Sequence, residues 1–224
     1  AKLPEMISLN ISNTSQWSAE EVYKGLNAIA NGPAKEKLQI LYVRDNNLRE
    51  VPESFRNLKK IGLLDLAQNQ IGTIHPFGKE VAPAQLYLDN NKLTSLPADG
   101  NGLFCTMDDV ETFSATYNKF TKFPNIFSAK SKFTIKSVDF SYNEIDGFEG
   151  EEDGTFKGLN IEQLSLAANK FTKFPKCLGT TGSLVAYIIL RGNMIDEIPE
   201  GSFSGKYSTS MTSLDLTYNK LSKL

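Results

Sequence analysis

Reagents for catalysis are scarce in this chain. Its 224 residues include one histidine, His75, and two cysteines, Cys105 and Cys177. With a single imidazole, no local frame assembles a Ser or Cys nucleophile with a His and an Asp. C-x-x-C, H-E-x-x-H and glycine-rich phosphate loops are missing. No apolar run reaches the roughly 18 residues of a transmembrane helix, and no charged-then-apolar leader opens the chain. Charge of one sign is lacking too: 24 Lys and Arg stand against 26 Asp and Glu, a net −2. No basic stripe therefore recommends nucleic acid. The expectation is no metal, no cofactor and no enzymatic activity.

What is present is repetition. Asn46, Asn69, Asn91, Asn118, Asn143, Asn169, Asn193 and Asn219 follow one another at steps of 22 to 27 residues. Around each the frame is L-x-x-L-x-L-x-x-N-x-L-x-x-L, with Ile, Val, Phe or Met in place of some leucines. The first unit is Leu38, Leu41, Val43, Asn46, Leu48, Val51, and the last is Met211, Leu214, Leu216, Asn219, Leu221, Leu224. A fixed period of this size is the mark of a stacked array, in which each unit buries its apolar face against its neighbours. Alternation across L-x-L sends both side chains to one buried face. The asparagine takes a core position where the chain turns, and its amide can both donate to and accept from adjacent turns.

The frame resembles the leucine-rich-repeat family over residues 38–224. That resemblance implies an α/β solenoid, a curved horseshoe with a parallel sheet on the concave face. Short helices, turns and irregular segments would run on the convex face. Residues 1–37 are expected to form an amino-terminal capping repeat with one helix. Met6, Leu9, Ile11 and Thr14 mimic a strand of the frame, and Ser18 with Glu21 makes a capping box for a helix over 19–30. Trp17 precedes the cap as a staple. Eight repeats then fill 38–224 in one continuous, monomeric solenoid that reads as truncated at its carboxyl end, with any leader absent.

Pro52 with Phe55 and Leu58, Pro124 with Phe127, and Pro199 with Phe203 are expected to turn the chain and plug the convex side of the core. Lys119, Lys122, Lys130, Lys132, Lys136, Lys170 and Lys173 are read as solvating charge, placed mostly after the ladder, at turns and on the convex side. The acidic stretch Asp146, Glu149, Glu151, Glu152, Asp153 lacks the ligand spacing of a calcium loop and reads as a solvated convex loop. Two turns of solenoid separate Cys105 from Cys177, roughly 10 Å, which exceeds disulfide reach and predicts two buried thiols.

Three outward positions per strand define the concave face. The first row is Ile40, Leu63, Gln85, Thr112, Ser137, Gln163, Tyr187, Ser213. The second is Tyr42, Asp65, Tyr87, Ser114, Asp139, Ser165, Ile189, Asp215, and the third Arg44, Ala67, Asp89, Thr116, Ser141, Ala167, Arg191, Thr217. Two clusters carry the aromatic and arginine anchors typical of interfaces. One is Ile40, Tyr42, Arg44, Leu63, Asp65, Tyr87 and Asp89; the other is Tyr187, Ile189 and Arg191. Tyr117, Tyr142 and Tyr218, each just before a ladder asparagine, read as a structural stack along one edge.

The expected function is recognition of a protein or peptide on the concave face. A glycan-binding module, with Tyr42, Tyr87 and Tyr187 under sugar rings and Asp65 and Asp89 taking hydroxyls, and a structural spacer within a larger surface protein are the alternatives. The wording F-P-N-I-F-S-A-K, V-D-F-S-Y-N-E-I and T-F-K-G-L-N is also similar to secreted or lipid-anchored surface proteins of the Bacteroidetes type. That likeness implies an extracytoplasmic location, at the bacterial cell surface or secreted.

Overall fold

The computed structural model describes residues 3–14, 16–78, 80–97, 109–126, 133–150, 159–180, 184–204 and 210–223. Its spine is a parallel sheet of nine strands, each paired with the next in sequence. They are β1 (Ser8–Asn10), β2 (Ile40–Tyr42), β3 (Leu63–Asp65), β4 (Gln85–Tyr87), β5 (Asp109–Ser114), β6 (Phe133–Asp139), β7 (Leu159–Ser165), β8 (Leu184–Ile189) and β9 (Ser213–Asp215). Among the described residues two α-helices accompany them, α1 (Ala19–Asn31) and the short α2 (Cys177–Thr180). The fold is a leucine-rich-repeat solenoid whose sheet lines one face. Of the two cysteines, Cys177 is buried at the start of α2, while Cys105 lies outside the described residues.

The register places the outward rows side by side. Ile40, Leu63, Gln85, Thr112, Ser137, Gln163, Tyr187 and Ser213 are successive partners across the sheet. Behind them the buried positions stack into a continuous core: Leu41, Leu64, Leu86, Phe113, Val138, Leu164 and Ile188, then Val43, Leu66, Leu88, Ala115, Phe140, Leu166 and Leu190. Small Ala115 lies beside large Phe140, whose ring meets Phe113, Phe120 and Phe123 at centroid distances of 5.4, 5.3 and 4.9 Å. On the convex side Phe55 and Leu58 are buried. Phe203 packs on Phe174 at 5.0 Å and is 42% exposed. Phe127 lies outside the described residues.

The asparagines form an unbroken ladder. Each side-chain N–H group donates to a carbonyl one coil back, as in Asn69 to Val43, Asn91 to Leu66, Asn118 to Leu88, Asn143 to Ala115, Asn169 to Phe140, Asn193 to Leu166 and Asn219 to Leu190, all at 2.9–3.0 Å. Each Oδ1 accepts from a backbone N–H of that same previous coil, from Leu48 on Asn69 through Ile195 on Asn219. Asn46 bonds the Ile11 carbonyl, and the Thr14 backbone N–H donates to its Oδ1 at 3.1 Å. The amino-terminal coil thus joins the same network. Its helix α1 begins at a capping box of Ser18 and Glu21 and buries Val22, Leu26 and Ala30. Trp17 is about half exposed (49%) and staples little apolar surface.

A feature absent from the leucine frame accompanies the ladder. The residue before each ladder position is left-handed: Asn13, Asp45, Gln68, Asn90, Tyr117, Tyr142, Ala168 and Tyr218 have φ of 52–58°, and Gly192 has φ 72°. That conformation turns the chain so the next side chain points inward. For residues with a Cβ it costs about 1–2 kcal/mol. Ala168, with no polar side chain to compensate, is the position where relief is cleanest. Ala168→Gly is expected to raise stability by about 1 kcal/mol, after the larger unfolded-state entropy of glycine is subtracted. Urea denaturation of the two proteins checks this, and a loss of stability would mean that the Ala168 methyl is packed.

Candidate binding surface

The sheet presents short strands whose outward side chains are held at fixed register, so each candidate residue has a defined neighbour. Across β2, β3 and β4 the second row runs Tyr42, Asp65, Tyr87, and Ile40 stands beside Leu63 in the first. Ile40, Tyr42, Leu63, Tyr87 and Asp89 are half-buried, while Arg44 is exposed. The seven residues of the amino-terminal cluster therefore do share one continuous patch.

Their polar members are engaged within the fold. Asp65 is 6% exposed; its Oδ1 accepts from the Ala67 N–H at 2.9 Å and its Oδ2 lies 3.4 Å from the Arg44 guanidinium. Arg44 Nε also donates to Gln68 Oε1 at 3.0 Å. Asp89 Oδ1 accepts from the Thr116 N–H at 2.9 Å, from the Thr116 hydroxyl at 2.6 Å and from the Ser114 hydroxyl. The Asp65 arrangement recurs: Asp139 accepts from the Ser141 N–H at 2.8 Å, Asp215 from that of Thr217 at 2.9 Å, and Asn10 from that of Ser12 at 2.9 Å. An Asp or Asn at the second outward position ties down the backbone as the strand ends. The spacing, two residues before the freed N–H, was available in the sequence as a structural signal.

The second cluster divides. Tyr187 is 46% exposed and Ile189 half-buried on β8. Arg191 instead lays its guanidinium 4.5 Å above the ring of Tyr218, toward the edge of the sheet. Four strand steps separate β4 from β8, roughly 19 Å, so the two clusters are separate patches. Between them the face is small and polar. The Ser141 and Ser165 hydroxyls meet at 2.6 Å, and burial pushes the Asp139 carboxyl upward, with the Ser141 bonds opposing and the Asp89 charge adding to the shift.

An outward row went unseen in the three-row frame. In β5 to β8 the pairing passes over Glu111, Lys136, Glu162 and Ala186, one residue on each strand between paired positions. The Glu111 and Thr112 N–H groups both donate to the Ala84 carbonyl. Two consecutive residues then face outward, and Glu111 collects Gln85 Nε2 at 2.7 Å and Lys136 Nζ at 3.2 Å. The Gln85 bond first, and Lys136 second, hold the Glu111 carboxyl below its usual range. Lys136 is therefore on the sheet and not at a convex turn as its lysine neighbours suggested. Lys122, Lys170 and Lys173 do lie beyond the ladder, paired with Asp146, Glu144 and Glu197. Lys130, Lys132 and residues 151–153 fall outside the described residues.

Among the described residues no group of three His, Cys, Asp or Glu is placed to hold a metal ion, and no helix is long and apolar enough to cross a membrane.

Stacked parallel strands, an inward asparagine ladder and a patterned open face define a leucine-rich-repeat protein, and the chain belongs to that family. Family profiles described as Leucine Rich Repeat match residues 37–58 and 207–223. A leucine-rich repeat protein from Bacteroides eggerthii is similar at 38% identity with a TM-score of 0.84, over 99% of this chain and 37% of that one. A second, from Bacteroides thetaiotaomicron, is similar at 33% identity with a TM-score of 0.82, over 98% of this chain and 27% of that one. Human lumican is 29% identical over 171 residues, covering 71% of this chain and 47% of lumican. The chain thus spans about half the length of the curated relatives it matches, and a smaller share of the Bacteroides proteins.

Proposed function

We propose that the chain is a non-enzymatic recognition module that holds a protein or peptide ligand on its concave face. The observation that carries this is the amino-terminal patch: Ile40 pairs with Leu63, Tyr42 and Tyr87 flank Asp65 on either side, and all four apolar and aromatic side chains are part-exposed on the sheet. Aromatic and aliphatic side chains on a fixed backbone lose little entropy when covered, which suits them as interface anchors. Tyr187 and Ile189 supply a second, smaller anchor. Residues 1–37 serve as the capping coil and 38–224 as the repeats of one continuous, monomeric solenoid. Similarity to the Bacteroides proteins supports a place outside the cytoplasm, at a bacterial cell surface or secreted.

A protein ligand is favoured over a glycan by the state of the carboxylates. Sugar hydroxyls need polar groups with free valence, whereas Asp65, only 6% exposed, already commits Oδ1 to the Ala67 N–H and Oδ2 to Arg44. The test is a cross-linked pull-down from envelope and host extracellular fractions with the parent chain and a Tyr42→Ala, Tyr87→Ala, Tyr187→Ala variant of matched stability. A partner kept by the parent and lost by the variant is the expected result. Equal capture by both would place the contact elsewhere, and retention only on a glycan array would make the module a lectin.

A further inference from the structure

Along one edge of the sheet, the left-handed position before each ladder asparagine points its side chain to solvent. In the fourth and fifth repeats that position holds Tyr117 and Tyr142, whose rings stack at 4.3 Å and 5°. Both rings are about half exposed, at 50% and 52%. The next two repeats carry Ala168 and Gly192, and the eighth carries Tyr218, 75% exposed. The Arg191 guanidinium, from the residue before Gly192, covers the face of Tyr218 at 4.5 Å. Flat groups thus succeed one another along this edge as Tyr117, Tyr142, then a step holding only the Ala168 methyl, then Arg191 and Tyr218. From Tyr142 to the Arg191 plane is two coil steps, roughly 10 Å.

We propose that this gap over Ala168 is a binding slot for one aromatic side chain of a partner polypeptide, with tryptophan the best fit. A ring seated on the Ala168 methyl stands about 5 Å from Tyr142 on one side and about 5 Å from the guanidinium on the other. The first is a stacking distance between aromatic rings, and the second lies within the range of a cation over a π face. The guanidinium decides the chemistry. A pyranose could lie on Tyr142 but offers no π quadrupole to Arg191, whereas indole offers the strongest one among side chains. A nucleobase would bring phosphate to a chain of net charge −2, with Asp215 close to Arg191. Apart from Arg191, the slot lies outside the ten concave-face candidates, and it rests on the protein-recognition reading only for the statement that the ring belongs to a polypeptide.

The test is a titration of the intact chain, carrying methyl-labelled alanine, with N-acetyltryptophanamide. The expected result is a saturable upfield ring-current shift of the Ala168 methyl, absent with N-acetylleucinamide. Ala168→Tyr should fill the slot and abolish saturation. That variant is compatible with folding, because tyrosine already occupies the same φ of 53–58° at positions 117, 142 and 218. Saturation there is followed at the Tyr142 ring. Arg191→Gln should weaken binding about tenfold, a loss consistent with one desolvated cation–π contact. An Ala168 methyl that stays still up to the solubility limit overturns the proposal, as does equal saturation in Ala168→Tyr. Stronger saturation by methyl glucoside or by adenosine monophosphate would overturn the assigned ligand class. None of these outcomes depends on the pull-down with the Tyr42, Tyr87 and Tyr187 variant, so either idea can fail while the other stands.

Discussion

Phe140→Ala is expected to lower the unfolding free energy by about 3–5 kcal/mol, the range for truncating a fully buried aromatic ring. Phe140 is 0% exposed and lies at the meeting point of Phe113, Phe120 and Phe123, with centroids at 4.9–5.4 Å. The cavity is hard to close. Ala115, its neighbour on the preceding coil, has no bulk to move inward, and the surrounding rings are pinned by the sheet register between β5 and β6. In a stack where each coil contacts only its neighbours, a weakened central interface also uncouples the two halves. Urea denaturation should therefore show a lower midpoint, and hydrogen exchange should speed up first near residues 113–145. Phe203→Ala is the control, since that ring is 42% exposed and its loss removes little buried area. A change below about 1 kcal/mol for Phe140 would show that the aromatic centre repacks.

The same residues show how much of the fold was legible in the sequence. Period-two alternation and the recurring asparagine placed every strand, its register and its inward face, because each repeat has the same problem of burying one side of a short strand. The capping helix was legible for a similar reason: Ser18, Glu21, Val22 and Leu26 state its start and its buried face in local terms. What escaped were features that arise between coils. The outward row at Glu111, Lys136, Glu162 and Ala186 follows from the two residues that L-x-x-L leaves between buried positions, and the paired N–H contacts recur at Gln39 with Ile40 and at Gly62 with Leu63. Its side-chain bonds, Glu111 to Gln85 and Lys136, form only between coils. Asp65 and Asp89 looked like ligand groups in isolation, but the first closes a strand end of its own repeat and the second reaches Thr116 in the next. Arg191 belonged by register to the second cluster, yet its long side chain turns aside to Tyr218. Backbone pattern fixes where a side chain starts; the length and charge of that side chain decide where it ends.

Asn143→Ala is expected to cost on the order of 3 kcal/mol, and the reason lies in burial more than in the number of bonds. Asn143 accepts from the Phe120 N–H at 3.2 Å and donates to the carbonyls of Ala115 at 3.0 Å, Phe140 at 3.0 Å and Ser141 at 3.3 Å. Alanine leaves the Phe120 N–H without its partner in the interior, at about 1–3 kcal/mol for an unpaired group, while the Ala115 carbonyl keeps the Asn118 amide at 3.1 Å. Asn219 makes a matching set, accepting from Ile195 N–H and donating to Leu190, Leu216 and Thr217. It is only part-buried, so water can replace the lost amide there. Asn219→Ala should therefore cost well under half as much as Asn143→Ala by urea denaturation. Equal losses would mean that the ladder acts by orienting the left-handed turn before it, wherever it lies, and that desolvation of the backbone contributes little.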